Sequence, residues 1–204
     1  MAKAKASSVW VLVAGLCALA GLIALGVALP PDVPLLRRFI QGAALMGYAC
    51  VFLAILSSAF LRQLVRFFGR PFVQIHHVVS ILGLAMLVAH PTLVAIQSAS
   101  AVVFAPQFST LYEFFRLGGR PAWYLLIVGA VAAVLRKAIG RHWRVLHYVN
   151  YVALLLATPH ALMIGGTFQH AVVPRVVLIL MAVATVAAFV QKRLGARARR
   201  SQRA

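Results

Sequence analysis

Acidic residues are almost absent: Asp32 and Glu113 are the only two in 204 residues. Ion-coupled transport usually depends on carboxylates at membrane depth. Neither acid lies inside an apolar run, and no broken-helix repeat is visible, so a transporter is disfavoured. Cysteine is scarce as well. Cys17 and Cys50 each sit within an apolar run, which excludes a disulfide framework or a metal knuckle. Both read as small packing residues. A nucleotide fingerprint is also missing, because Gly118-Gly119 and Gly165-Gly166 follow no strand. At 204 residues the chain has room for one bundle, not for a bundle plus a full nucleotide-binding domain.

What is abundant is apolar surface and positive charge. Hydrophobic residues make up 63 % of the chain and charged residues 11 %. A soluble domain of this size cannot hide that much apolar surface, whereas a bilayer can. Twenty Lys and Arg give a net charge of +18. They cluster in short loops between apolar runs, so they read as topology signals and contacts to anionic lipid, not as a nucleic-acid surface.

A spanning helix needs roughly 20 mainly apolar residues, and six segments are candidates. They are Val9–Leu29, Phe39–Leu61, Phe72–Ile96, Arg120–Arg136, Arg144–Ile164 and Val172–Val190. The fourth is short, with 15 uncharged residues between its flanking bases. The first is too long for a signal peptide and lacks a small-residue cleavage site, so it reads as an uncleaved helix. The expected fold is all-α, an integral membrane six-helix bundle. A tail over residues 1–8 precedes the bundle at 9–190, and a basic tail fills 191–204. Fifteen bases fall on the side that holds both tails and five on the other, which places both termini in the cytoplasm. The longest loop contains Ser109–Arg116, where aromatics mix with charge. It reads either as a short interfacial helix or as an irregular loop with aromatic anchors.

Four of the seven histidines fall at apolar depth, His76 and His90 on the third segment and His147 and His160 on the fifth. Ionisable groups there are costly and point to function. Neutral imidazole is a good iron ligand, and two of them on facing helices can hold one b-type haem. His76 and His90 are 14 residues apart, a rise of about 21 Å that leaves the rings within about 40° of one face. His147 and His160 are 13 apart, which in a straight helix leaves them about 140° apart. Pro159 is positioned to kink or rephase that helix. The two segments run parallel, so the expected pairs are His76 with His147 near the cytoplasm and His90 with His160 near the outer face. His77 competes with His76. His142 and His170 read as interfacial.

The run Gly140-Arg141-His142-Trp143-Arg144-Val145-Leu146-His147-Tyr148-Val149-Asn150-Tyr151, continued to Pro159-His160-Ala161, resembles the fifth helix of the ferric reductase-like transmembrane domain family. That family includes ferric reductases, NADPH oxidases and the stand-alone bacterial haem-binding subunits of the MsrQ (YedZ) type. The steps of 14 and 13 between histidines are the family's spacing, and the resemblance covers about residues 39–190. It implies a six-helix haem domain that passes electrons across a bacterial inner membrane. A histidine at position 76 departs from the MsrQ-type pattern and is closer to a two-haem ferric reductase domain, so one haem or two stays open. The resemblance also implies a flavin link, with flavin mononucleotide held by the chain or by a separate flavoprotein. A quinol is the other candidate donor. A periplasmic oxidoreductase and ferric iron are the candidate acceptors.

Haem carboxylates require cationic partners, and arginine suits them through paired hydrogen bonds. Arg70 and Arg144 stand at the cytoplasmic mouths of the third and fifth segments, and Arg116 and Arg120 on the outer side. The expected function is an electron-transfer protein or oxidoreductase subunit. The competing readings are a non-redox transporter and a structural subunit whose histidines only pack.

Overall fold

The computed structural model describes residues 33–68 and 72–201. Helices dominate, and no strand forms among the described residues. The first candidate span, Val9–Leu29, and the mouth residue Arg70 lie outside them.

Helix α1 (Leu35–Ala59) follows Pro34 and ends where the Phe60 N–H closes onto the Leu56 carbonyl. Its 25 residues reach about 37 Å, enough for a hydrocarbon core of about 30 Å. A short helix, α2 (Leu61–Phe68), leads towards α3 (Phe72–Ser98), which carries Pro91 directly after His90. A 3-10 turn at Ala101–Phe104 and the short helix α4 (Leu111–Arg116) form the long loop. Thr110 caps α4 by accepting the Glu113 N–H at 3.1 Å, so a helix forms where an irregular loop was the alternative.

Helix α5 (Gly119–Val134) has 16 residues, as short as its sequence suggested. Next come α6 (Arg136–Ile139), a 3-10 turn at Gly140–His142, α7 (Trp143–His147) and α8 (Val149–Ile164). Gly140 takes φ 57°, a left-handed value that glycine adopts without strain. Helix α9 (Gly166–His170) precedes α10 (Val172–Ser201).

Four stretches are long and apolar enough to cross a membrane: Leu35–Ala59, Val73–Ser98, Arg136–Ile164 and Val172–Leu194. They match the second, third, fifth and sixth sequence candidates, and Gly119–Val134 is the shorter fourth. The apolar window of Val73–Ser98 has only 6 % of its residues buried, despite a hydropathy of 2.1. In water such a helix would be unsupported. In lipid its exposed Val78, Ile81 and Leu82 are at home.

Between helices in lipid, close packing and hydrogen bonds replace the hydrophobic drive. Small residues supply the packing where α1 meets α3. A Cβ on Gly83 would come within 2.8 Å of the Cys50 Cβ, so only glycine permits this approach. A buried hydrogen bond joins α1 to α8: Tyr48 Oη lies 2.9 Å from Thr158 Oγ1. Thr158 spends its own proton on the Leu154 carbonyl, so the tyrosine is the donor. Helix α3 lies along α1, α8 lies along α5, and α10 closes against both α1 and α8. Helices α3 and α8 share no substantial packing interface.

Candidate functional site

The two histidine helices are thus held by other helices, not by each other. His76 and His90 both turn towards α1. His90 Nδ1 lies 3.1 Å from the Ile40 carbonyl near the start of α1. His76 Nδ1 lies 3.0 Å from Ser57 Oγ near its end. A step of 14 residues on one face therefore finds one neighbour, as helix geometry requires.

His147 and His160 both turn towards α5 and the residues just before it. His147 Nδ1 lies 3.0 Å from the Gly129 carbonyl, and His160 Nδ1 lies 2.9 Å from the Arg116 carbonyl. A straight helix would splay these rings. The helix is not continuous: it breaks at Tyr148, between α7 and α8. There Tyr148 N–H is shared between the Arg144 and Val145 carbonyls, both at 3.1 Å, and Tyr151 N–H reaches the Tyr148 carbonyl at 3.1 Å. The i→i−3 component winds the chain by more than about 100° per residue there, which turns His147 towards the face of His160. Pro159 lies within α8, which continues through it. The rephasing expected at Pro159 has its visible break beside His147.

The four hydrogen bonds fix the tautomers. A carbonyl only accepts, so Nδ1 of His90, His147 and His160 must carry the proton. Ser57 donates its own hydrogen to the Ala54 carbonyl at 2.9 Å, so it too receives a proton, from His76. Each Nε2 then keeps its lone pair. No hydrogen bond among the described residues engages any of these four Nε2 atoms. One ring nitrogen tied to a fixed acceptor and the other left basic is the arrangement of a metal-ligating histidine.

His76 and His147 lie within electrostatic range of one another, as do His90 and His160. Among the described residues no group of three or more His, Cys, Asp or Glu gathers around a common point. Two separate two-histidine sites suit a macrocycle that fills the remaining iron positions itself, not a bare ion with protein ligands only.

Glycines make room for these rings. A Cβ on Gly119 would fall 2.7 Å from both Cδ2 and Nε2 of His160. A Cβ on Gly129 would collide with the Asn150 amide, which lies beside His147. Asn150 Nδ2 is 3.3 Å from His147 Nδ1, while the buried Oδ1 has no partner. Nδ1 already carries a proton, so the amide fits this site with its oxygen on that side, where it shares the proton with the Gly129 carbonyl.

Sequence reasoning passed over Ser57, Gly119 and Gly129. Gly119, which precedes the fourth sequence candidate, opens α5. A glycine inside an apolar helix, such as Gly129, costs helix stability and so signals close packing. His77 is exposed, with its ring centroid 5.9 Å from that of His76. His142 and His170 are exposed.

The expected carboxylate partners fare unevenly. Arg144 is exposed and lies 5.6 Å from the Trp143 ring. Arg116 pairs with Glu113 at 2.7 Å. That hydrogen bond and the carboxylate's charge raise the guanidinium pKa above its usual value. Arg120 donates to the Ala105 carbonyl at 2.7 Å.

The described residues form an all-helical, multi-pass membrane protein with two histidines on each of two helical stretches. Compared with family models, curated proteins and solved structures, it gives no match.

Proposed function

We propose that this chain is a transmembrane electron-transfer protein that binds b-type haem between α3 and the α7–α8 helix. His76 and His147 would ligate one haem near the cytoplasmic side, and His90 and His160 another near the outer side. The full bundle would have six helices, with Val9–Leu29 as the first. The observation that carries this reading is the shared tautomer. All four imidazoles have Nδ1 bound to an acceptor and, among the described residues, no partner on Nε2. Packing needs only the first of these, whereas a ligand needs both.

The residues fit the cofactor. The ligand helices lack a mutual packing interface, as helices on either side of a macrocycle would. When bound, haem supplies a one-electron carrier whose potential is tuned by the ligand hydrogen bonds and the apolar surroundings. The chain's own residues orient the imidazoles through their Nδ1 partners. Electrons would enter from a cytoplasmic flavin or NAD(P)H reductase, or from a quinol. They would leave at the outer face to a periplasmic reductase or ferric iron. The setting would be a bacterial inner membrane, with both termini cytoplasmic and flavin mononucleotide as a further candidate cofactor.

The test is a reduced-minus-oxidised spectrum of the detergent-purified protein expressed with ample haem. A sharp reduced α-band and a shifted Soret band are expected. Colourless protein would overturn the proposal and favour a structural subunit with packing histidines. Pyridine haemochrome per protein separates one haem from two.

A further inference from the structure

The inner histidine pair has a cationic neighbour that topology alone does not explain. Lys192 is half-buried on α10, not extended into solvent. Its Nζ lies 5.2 Å from the ring centre of Tyr148, the residue after His147. Arg193 crowds the same ring at 4.8 Å and also lies 5.2 Å from the Phe189 ring. Lys192 is within electrostatic range of His76 on α3, and Lys192 and Arg193 repel one another. Two adjacent cations gathered on one aromatic platform need a counter-charge, since ring faces supply only a part of it.

The described residues offer none: their one acid, Glu113, is committed to Arg116. Asp32 lies outside the described residues. An anionic ligand would complete the cluster.

We propose that Lys192 and Arg193, seated on Tyr148 and Phe189, form a clamp for an anionic oxygen group, a carboxylate or phosphate, beside the inner histidine pair. Two sources supply such a group there: the carboxylates of a haem held by His76 and His147, or the phosphate of an anionic lipid. The first rests on the haem reading above; the second does not. The clamp takes the role that the sequence had given to Arg70 and Arg144.

Two binding measurements separate the sources. In the first, protein expressed under haem limitation is titrated in detergent with haemin and with haemin dimethyl ester, which lacks the charged carboxylates. In the second, the protein in nanodiscs of phosphatidylcholine is titrated with phosphatidylglycerol. The variants are the double substitution Lys192→Gln with Arg193→Gln, and the charge-conserving exchange Lys192→Arg with Arg193→Lys. If haem carboxylates occupy the clamp, wild type favours haemin over the ester by about tenfold or more, as expected for charge-assisted hydrogen bonds. The double Gln variant loses that preference and the charge-conserving one keeps it. If lipid occupies the clamp, the haemin preference is unchanged and the phosphatidylglycerol affinity falls about tenfold in the double Gln variant only. If neither quantity changes in the double Gln variant, the clamp is overturned. A wild type that binds neither haemin nor its ester overturns the haem reading instead, and the lipid arm still decides the clamp.

Discussion

Replacing Gly119 with alanine tests how closely the fold is fitted to the outer histidine pair. The added methyl would stand 2.7 Å from Cδ2 and Nε2 of His160 and 3.0 Å from Cε1. Ordinary contact needs about 3.5 Å or more, so the ring must retreat by roughly 0.8 Å. The Nδ1 bond to the Arg116 carbonyl is 2.9 Å long. A retreat of that size takes it past about 3.5 Å, where a hydrogen bond is no longer made. Losing a histidine's orienting partner typically costs 10- to 100-fold in metal affinity, or about 1.4–2.8 kcal/mol. The helix itself is affected in the opposite sense, because Gly→Ala favours helix by about 0.5–1 kcal/mol. Gly166→Ala is the matched control. Gly166 opens α9 as Gly119 opens α5, but its nearest neighbour is Gln41 Nε2 at 3.3 Å. Haem per protein, the Soret and α-band shapes and the melting temperature are measured for both. Gly119→Ala should lose outer-site haem or ligation without a fall in melting temperature, and Gly166→Ala should retain both. Unchanged haem content and affinity in Gly119→Ala would refute the assignment of His160 as a ligand in this position.

Alanine at His76 or His147 should remove the same haem, and alanine at His90 or His160 the other. Potentiometric titration of the four variants checks the grouping, and a pairing along one helix would contradict it. Ser57→Ala takes away the only side-chain acceptor of His76 Nδ1 seen here and should weaken the inner haem by about tenfold, with Ser57→Thr restoring it. Tyr48→Phe leaves Thr158 bonded to the Leu154 carbonyl and should cost about 1 kcal/mol of stability in detergent, with haem content unaltered. Glu113→Gln removes the partner that raises the Arg116 pKa. A raised pKa in a base contributes stability below its ordinary value and loses it only as pH rises through the folded value, far above the working range for arginine. The substitution should therefore shift the melting temperature equally at about pH 6 and pH 9, and outer haem should persist because His160 uses the Arg116 carbonyl, not its side chain.

The spans were legible because hydropathy integrates over about 20 residues and tolerates errors of a turn. The proposed pairing of His76 with His147 and of His90 with His160 rests on parallel helices and matched steps. What the sequence left open was the phase of the fifth helix. Tyr148 has no proline or glycine beside it, and its tightened turn reflects contacts made in three dimensions. The sequence pointed instead at Pro159, which removes one i→i−4 bond although α8 runs on through it. The partners of the imidazoles were also hidden. Ile40 and Arg116 act through backbone carbonyls, and a carbonyl leaves no trace in residue identity.

That difference divides the two sites physically. Both outer histidines bond to main chain, so no single side-chain deletion removes their acceptors. Arg116 ends α4, and a carbonyl at a helix C-terminus has no intrahelical donor and carries partial negative charge. It is available to His160 without disturbing a helix. The inner site differs at one histidine. His147 also bonds a main-chain carbonyl, that of Gly129, with Asn150 beside it, whereas His76 bonds the Ser57 side chain and Lys192 stands close by. Ser57, Asn150 and Lys192 are side chains and all three are substitutable. Electrons entering from the cytoplasm would meet this inner site first, where hydrogen bonding and charge are adjustable one residue at a time. The outer site is fixed by the backbone and by the space that Gly119 leaves open, so its ligand geometry varies only if the helices themselves move.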